Sequence, residues 1–304
     1  MRLRTVIGTL LALAAAGGIA LYVVTRPEPI RADELAAYTP DVANGETMFN
    51  AGGCASCHKT PNQDDQTKLG GGVALATQFG TFHAPNISPD PKNGIGAWSE
   101  AQFASAMLRG VGPNGEHLYP VFPYTSYQRM ALKDVRDLFA YLKTLPPVAT
   151  PSQPHQLSFP FNVRTALGPW KLLFLDGRAF APDPAKDAVY NRGAYLVEGP
   201  GHCAECHSQR NILGAIEQRY RLAGGPNPTG KGWIPNITQT DDGLGKWTVK
   251  DIAYLLETGF TAQYDAVGSS MAEVVENTGR LSEADRNAMA VYLKALPARP
   301  SPPH

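Results

Sequence analysis

Two short stretches constrain this chain more than anything else in it: Cys54-Ala55-Ser56-Cys57-His58 and Cys203-Ala204-Glu205-Cys206-His207. Two cysteines three apart, with a histidine directly after the second, form the attachment signature of c-type haem. On a helical turn, positions i, i+3 and i+4 share one face, so both thiols and the imidazole meet the same flat ligand. The thiols would become thioethers on the vinyl groups and the imidazole the proximal iron ligand. A zinc site built from two CxxC pairs is the plain alternative. It would have to join cysteines 146 residues apart and leave a histidine idle after each pair. A thioredoxin-like redox pair needs a βαβ context that the flanks lack. The pattern therefore implies two covalently bound haems c (iron), with Cys54, Cys57, His58, Cys203, Cys206 and His207 as cofactor-binding residues.

All four cysteines are used by the two motifs, so no disulfide is expected. The attachment chemistry itself places the chain outside the cytoplasm. The 27 basic and 27 acidic residues balance, and propionates would tip the sum acidic, which argues against nucleic acid as a partner. The 30 glycines and 26 prolines fit backbone that runs as loops around cofactors. At 304 residues there is room for two ordinary domains and an extra segment.

That segment opens the chain. Val6 to Val24 is nineteen residues without a charge, which as a helix would cover roughly 28 Å, close to the hydrocarbon thickness of a bilayer. The competing reading is a cleaved signal peptide, but its candidate small-residue sites at Ala12–Ala16 lie in mid-run. Tyr22 and Arg26 suit a membrane boundary. Residues 1–26 are therefore expected to form a single-pass membrane anchor, and 27–40, with three prolines, a linker.

The remainder reads as one plan used twice, over 41–147 and 187–298. Gly45 and Phe49 on an opening helix recur as Gly193 and Val197. Closing helices around Tyr141 and Tyr292 show apolar residues at helical spacing. Between them, Ala84-Pro85-Asn86-Ile87-Ser88 followed by Gly94 to Ser99 matches Ile234-Pro235-Asn236-Ile237-Thr238 followed by Gly243 to Thr248. His58 to Trp98 and His207 to Trp247 both span forty residues. Residues 148–186 form a proline-rich linker holding one apolar run, Trp170 to Leu175, which reads either as a helix bridging the domains or as a contact for a partner subunit or the membrane surface.

His/Met ligation suits electron transfer. Met271 lies 64 residues after His207 and is the expected second iron ligand of the second haem, whereas Met289 falls in the closing helix and reads as packing. In the first domain the equivalent position is Phe122, which cannot ligate iron. Met130 is the best candidate there, with His117 or an open site as alternatives, and Met107 reads as core. The Pro85 and Pro235 carbonyls are natural acceptors for the second N–H of the ligating histidines. The indoles of Trp98 and Trp247 are candidates for reaching propionates or for plain core packing.

Crossing helices of this kind resemble class I cytochromes c. The motifs, with Leu118-Tyr119-Pro120-Val121-Phe122-Pro123-Tyr124 and Met271-Ala272-Glu273-Val274-Val275-Glu276-Asn277-Thr278, make the chain similar to the membrane-anchored cytochrome c subunits of bacterial alcohol, gluconate and related dehydrogenases. The resemblance covers most of 41–297 and departs from it in two ways. Many of those subunits carry three haems, and methionine is common where Phe122 stands. It implies an all-α fold of two tandem class I cytochrome c domains behind a transmembrane helix, in the cytoplasmic (inner) membrane with the haem domains facing the periplasm. It also implies a subunit that takes electrons from a flavin-, PQQ- or molybdenum-dependent dehydrogenase and passes them to a quinone, a cytochrome or an oxidase. A dihaem peroxidase, a thiosulfate dehydrogenase-type enzyme and a dihaem oxidase subunit are the alternatives.

Overall fold

The computed structural model describes residues 2–261, 263–268 and 270–303. Helix α1 (Arg2–Val24) is apolar all round and packs against nothing along its length. Its mean hydropathy of 2.1 over Leu3–Val24 makes it long and apolar enough to cross a membrane by length and composition.

In the first half, α2 (Val42–Ala51) begins at Asp41, whose carboxylate accepts from the backbone N–H groups of Ala43 and Asn44. It leads into the turn α3 (Cys54–His58) through Gly53, which is left-handed at φ 53°. A hairpin of β1 (Ala74–Thr77) and β2 (Gly80–His83) follows. Helix α4 (Glu100–Arg109) carries a capping box of Ser99 and Gln102 and ends on left-handed Gly110. The short α5 (Tyr124–Tyr127) and the closing α6 (Leu132–Thr144) complete this half.

The second half repeats the order. Helix α8 (Ala188–Glu198) is capped by Asp187. Helix α9 (Val249–Thr258) has a capping box of Thr248 and Asp251 and ends on left-handed Gly259. Helices α10 (Ser270–Thr278) and α11 (Glu283–Lys294) follow. The second motif is a 3-10 turn, Cys203–Glu205, preceded by His202 in the left-handed region at φ 38°.

In each half the opening helix crosses the closing helix at a glycine, because no side chain fits between the backbones. A Cβ on Gly45 would lie 2.1 Å from the Asp137 carbonyl oxygen, and one on Gly193 would lie 1.9 Å from that of Ala288. Next to the first crossing, the rings of Phe49 and Tyr141 pack at 5.3 Å. The core is continuous across both halves and includes Met48, Leu138, Leu142, Leu196, Val197 and Leu293.

The fold is helical as expected, with two small sheets that hydrophobic periodicity did not disclose. β3 (Gln156–Leu157), from the linker, adds to the first hairpin, and β4 (Gly225–Pro226) pairs with β5 (Trp233–Ile234) in the second half. The linker is also more ordered than its prolines suggest. Helix α7 (Leu167–Phe174) ties both halves together. Lys171 donates to the Arg109 and Gly110 carbonyls at the end of α4, at 2.9 and 2.5 Å, and the Trp170 indole donates to the Leu213 carbonyl at 2.9 Å. Burial pushes the Lys171 ammonium down to about 8.

Candidate haem sites

Each motif presents its histidine with one ring nitrogen already committed. His58 Nδ1 lies 2.8 Å from the Pro85 carbonyl and His207 Nδ1 lies 2.8 Å from that of Pro235. That bond fixes Nδ1 as the donor and leaves Nε2 as a lone-pair ligand. Burial pushes both imidazoles below their ordinary pKa, so they stay neutral and able to coordinate. The His58 carbonyl accepts from Gly71 N–H and the His207 carbonyl from Gly224 N–H, each at 2.9 Å, which pins the back of both turns alike.

The repeated Asn-Ile-Ser/Thr segments are the buttress behind those carbonyls. Asn86 Nδ2 donates to the carbonyls of Val148 and Thr150, at 2.6 and 2.8 Å. Asn236 Nδ2 donates to Arg299 O and Ser301 Oγ, at 2.9 and 3.0 Å. In both halves the chain leaving the closing helix is thereby tied to the loop that holds the ligating histidine.

None of the four motif cysteines is in a disulfide. Burial, with the neighbouring Cys57, pushes Cys54 up to about 12, and burial with the nearby Glu198 does the same for Cys203. Among the described residues no three His, Cys, Asp or Glu side chains gather as a metal site, so the zinc alternative has no cluster to stand on. Two partly buried cysteines beside an imidazole with a free Nε2 fit covalent haem, which would be held by the two thioethers and the histidine of each motif.

The two motifs meet, and they do so reciprocally. Ser56 of the first receives a hydrogen bond from Asn277 of α10 at 3.0 Å, and Lys59 pairs with Glu273 of the same helix at 3.4 Å. Glu205 of the second, at the place that Ser56 holds in the first, accepts from Thr125 Oγ1 and Ser126 Oγ of α5 at 2.7 and 2.9 Å. His202 Nε2 lies 3.1 Å from the Gly52 carbonyl. Each motif is thus held by the segment that precedes the closing helix of the other half. Burial works against ionisation of Glu205, but Arg210 at 2.7 Å and the two hydroxyls outweigh it and hold the carboxyl below its ordinary value.

The expected second ligands are placed less symmetrically. Met271 is partly buried in the first turn of α10, packed against the core. Twelve residues after Gly259 it stands where Phe122 stands after Gly110, and Phe122 packs its ring at 5.4 Å from Tyr127. Met130 is 2% exposed, with its Cγ 3.8 Å from where a Cβ on Gly199 would be. Counted back from the closing helices, Met130 matches buried Leu281. His117 is engaged at the foot of α1, its Nε2 3.0 Å from the Thr25 carbonyl. Met107 and Met289 are buried in helices α4 and α11. Trp98 and Trp247 pack against the core from partly buried positions. The reciprocal contacts escaped sequence reasoning, since Asn277 and Ser56 lie 221 residues apart and share no local pattern.

Residues 42–146 match the cytochrome c family model. The whole chain is 48% identical to a diheme cytochrome c-type protein of Cereibacter sphaeroides, over 95% of this chain and 97% of that one. The chain belongs to the dihaem c-type cytochromes. It carries two covalently bound haems c. The cytochrome is also 38% identical to the fructose dehydrogenase cytochrome subunit of Gluconobacter japonicus, over 90% of this chain and 56% of that one. It is 36% identical to the gluconate 2-dehydrogenase cytochrome c subunit of Pantoea cypripedii, over 85% of this chain and 60% of that one.

Proposed function

We propose that this cytochrome is the electron-transfer subunit of a periplasmic dehydrogenase, anchored in the cytoplasmic membrane by α1. Two modules, 41–147 and 187–298, each hold one haem. Cys54, Cys57 and His58 serve the first, and Cys203, Cys206 and His207 the second. Met271 completes the second iron's coordination and Met130 the first's. Covalent haem supplies a one-electron couple at each site. The chain's own contribution is to orient the imidazoles through Pro85 and Pro235, to bury both sites, and to hold the two motifs edge to edge. The Trp98 and Trp247 indoles are placed to donate to propionates.

The observation that carries this reading is the reciprocal junction, in which Ser56 and Glu205 are each gripped by the other half. It would fix the separation of the two haem-binding motifs. The relatives named as dehydrogenase cytochrome subunits support a catalytic dehydrogenase as the donor. A flavin-, PQQ- or molybdenum-dependent partner would deliver electrons singly to one haem, and a quinone, cytochrome or oxidase would take them from the other.

Co-purification from native membranes, followed by substrate-driven reduction of both haems, tests the proposal. Two one-electron steps in a potentiometric titration, with reduction by the accompanying dehydrogenase, are expected. Rapid turnover of hydrogen peroxide by the isolated protein, with no dehydrogenase attached, would replace this reading with a peroxidase.

A further inference from the structure

The membrane helix does not hang from the protein on a free tether. Its last turn ends at Thr25, which is buried, and the Thr25 carbonyl lies 3.0 Å from His117 Nε2. Gly168 in the first turn of α7 packs so closely on Thr25 that a Cβ there would lie 2.5 Å from its carbonyl oxygen and 2.7 Å from its hydroxyl. Arg164 in turn donates to the His117 carbonyl at 2.9 Å. The point where α1 leaves the bilayer is therefore fixed against α7 and the segment before it.

Strongly exposed apolar side chains lie on those elements and on the loop that Trp170 reaches. Leu172 and Leu173 on α7 are 65% and 68% exposed, Phe159 before it 81%, and Ile212 86%. They are contiguous. Trp170 binds the Leu213 carbonyl, Phe79 packs against Gly214, and Phe161 packs on Phe79 at 4.9 Å. Leu173 lies five residues along α7 from Gly168, about 8 Å from the helix exit.

We infer that this rim rests in the interfacial layer of the lipid bilayer, giving the cytochrome a second membrane contact beside its spanning helix. The inference rests on reading α1 as a retained anchor. Contiguity with the exit of α1 selects lipid over a protein partner. The rim starts at the last turn of a helix whose apolar run reaches Val24, so the surface beside it is the bilayer itself. Aromatic and aliphatic side chains flanked by Arg26 and Arg164 suit that layer. The seat would hold both haem modules at a fixed height above the membrane instead of swinging on residues 26–40.

The test uses the full-length holoprotein, purified without its dehydrogenase, in vesicles of phosphatidylethanolamine and phosphatidylglycerol. The vesicles are doped with a phospholipid bearing a photoactivatable diazirine near the glycerol backbone. After illumination, lipid adducts are mapped by peptide mass spectrometry. Adducts are expected on α1, on 159–163 and on 170–173, several-fold above peptides of α9. In the variant L172E/L173E those on 170–173 should fall to the α9 level while those on α1 persist. Adducts confined to α1 would overturn the inference and leave the anchor standing. Absence of adducts on α1 as well would show that the anchor reading itself fails, and the rim with it.

Discussion

In the first half of the cytochrome, α4 lies beneath the segment that descends from α1. Ile30 N–H donates to Ser105 Oγ at 2.8 Å, Arg109 donates to the Glu28 and Pro29 carbonyls, and Arg136 donates to that of Ala36. In the second half, α9 occupies the equivalent place and carries no such covering strand among the described residues. Its Tyr254 is exposed, as are Phe260 and Tyr264 just beyond it. One module thus occurs twice in two different settings. The first copy is clad and bolted to the foot of α1, and the second is left exposed. The same asymmetry reaches the proposed iron ligands, where Met271 has Phe122 as its counterpart.

The largest expected effect sharpens that contrast. Thioether ligation gives ferric haem a weak charge-transfer band at the red edge of the visible spectrum, so the wild type should show two haems' worth of intensity. Met271→Ala should remove half and lower one potential by a sizeable part of the ~0.8 V that axial ligands command. Met130→Ala should remove the other half. Adding Phe122→Met to Met130→Ala should restore it, because that methionine stands where Met271 does. If Met130→Ala leaves the spectrum and both potentials untouched, the first haem has another sixth ligand and the halves differ more deeply than proposed.

Next in size is the junction. Glu205→Ala leaves Arg210 without its carboxylate and Thr125 and Ser126 without their acceptor, a loss of about 3–5 kcal/mol read by denaturant titration. Ser56→Ala at the matching place deletes one neutral hydrogen bond from Asn277 and should cost about 1 kcal/mol. Comparable losses from the two variants would mean that the junction is less one-sided than its charges imply.

The helix crossings test where the halves agree. Gly45→Ala and Gly193→Ala each drive a methyl group into a carbonyl oxygen and should destabilise by about 1–3 kcal/mol or more. Calorimetry should find the two alike. A much milder Gly193→Ala would reveal looser packing between α8 and α11 than between α2 and α6.

Much of this was legible beforehand, for reasons that differ by residue. The motifs are local, so their helical geometry follows from spacing. Gly45 and Gly193 were readable because they recur with an aromatic partner on each closing helix. The Pro85 and Pro235 carbonyls were readable because each proline opens a repeated Pro-Asn-Ile segment after its histidine, 27 residues on in one half and 28 in the other. What joins the halves was not legible. The Glu205 site takes Thr125 from 80 residues away, and Lys171 reaches back 61 residues to Gly110. Such pairs follow from how two modules dock, which no periodicity within either one encodes. The β1–β2 hairpin escapes the sequence because β1, though alternating, is only four residues long and β2 does not alternate at all.

The smallest effect concerns a residue that only the first half possesses. His117 pairs across its turn with Val111, and Ala266 pairs likewise with Phe260 in the second half. Burial, then the nearby Lys171, hold the imidazole below its ordinary value of 6.5, with the Thr25 carbonyl pulling the other way. Arg164 adds a second cation on that side, through its bond to the His117 carbonyl. Nδ1 is buried without a partner, so the neutral ring donates from Nε2 to Thr25 and a second proton would have no acceptor. A depressed folded pKa means stability that is complete above about 6.5 and lost as the pH falls through the folded value. The melting temperature of the full-length protein should therefore drop between pH 7 and pH 5 by more than that of His117→Gln, whose amide can still donate to Thr25 but does not titrate. Every other group is common to both proteins, so the difference between them isolates this clasp. Parallel pH profiles would show that the anchor is held by Gly168 and α7 alone, and that its attachment to the first half does not depend on the charge of His117.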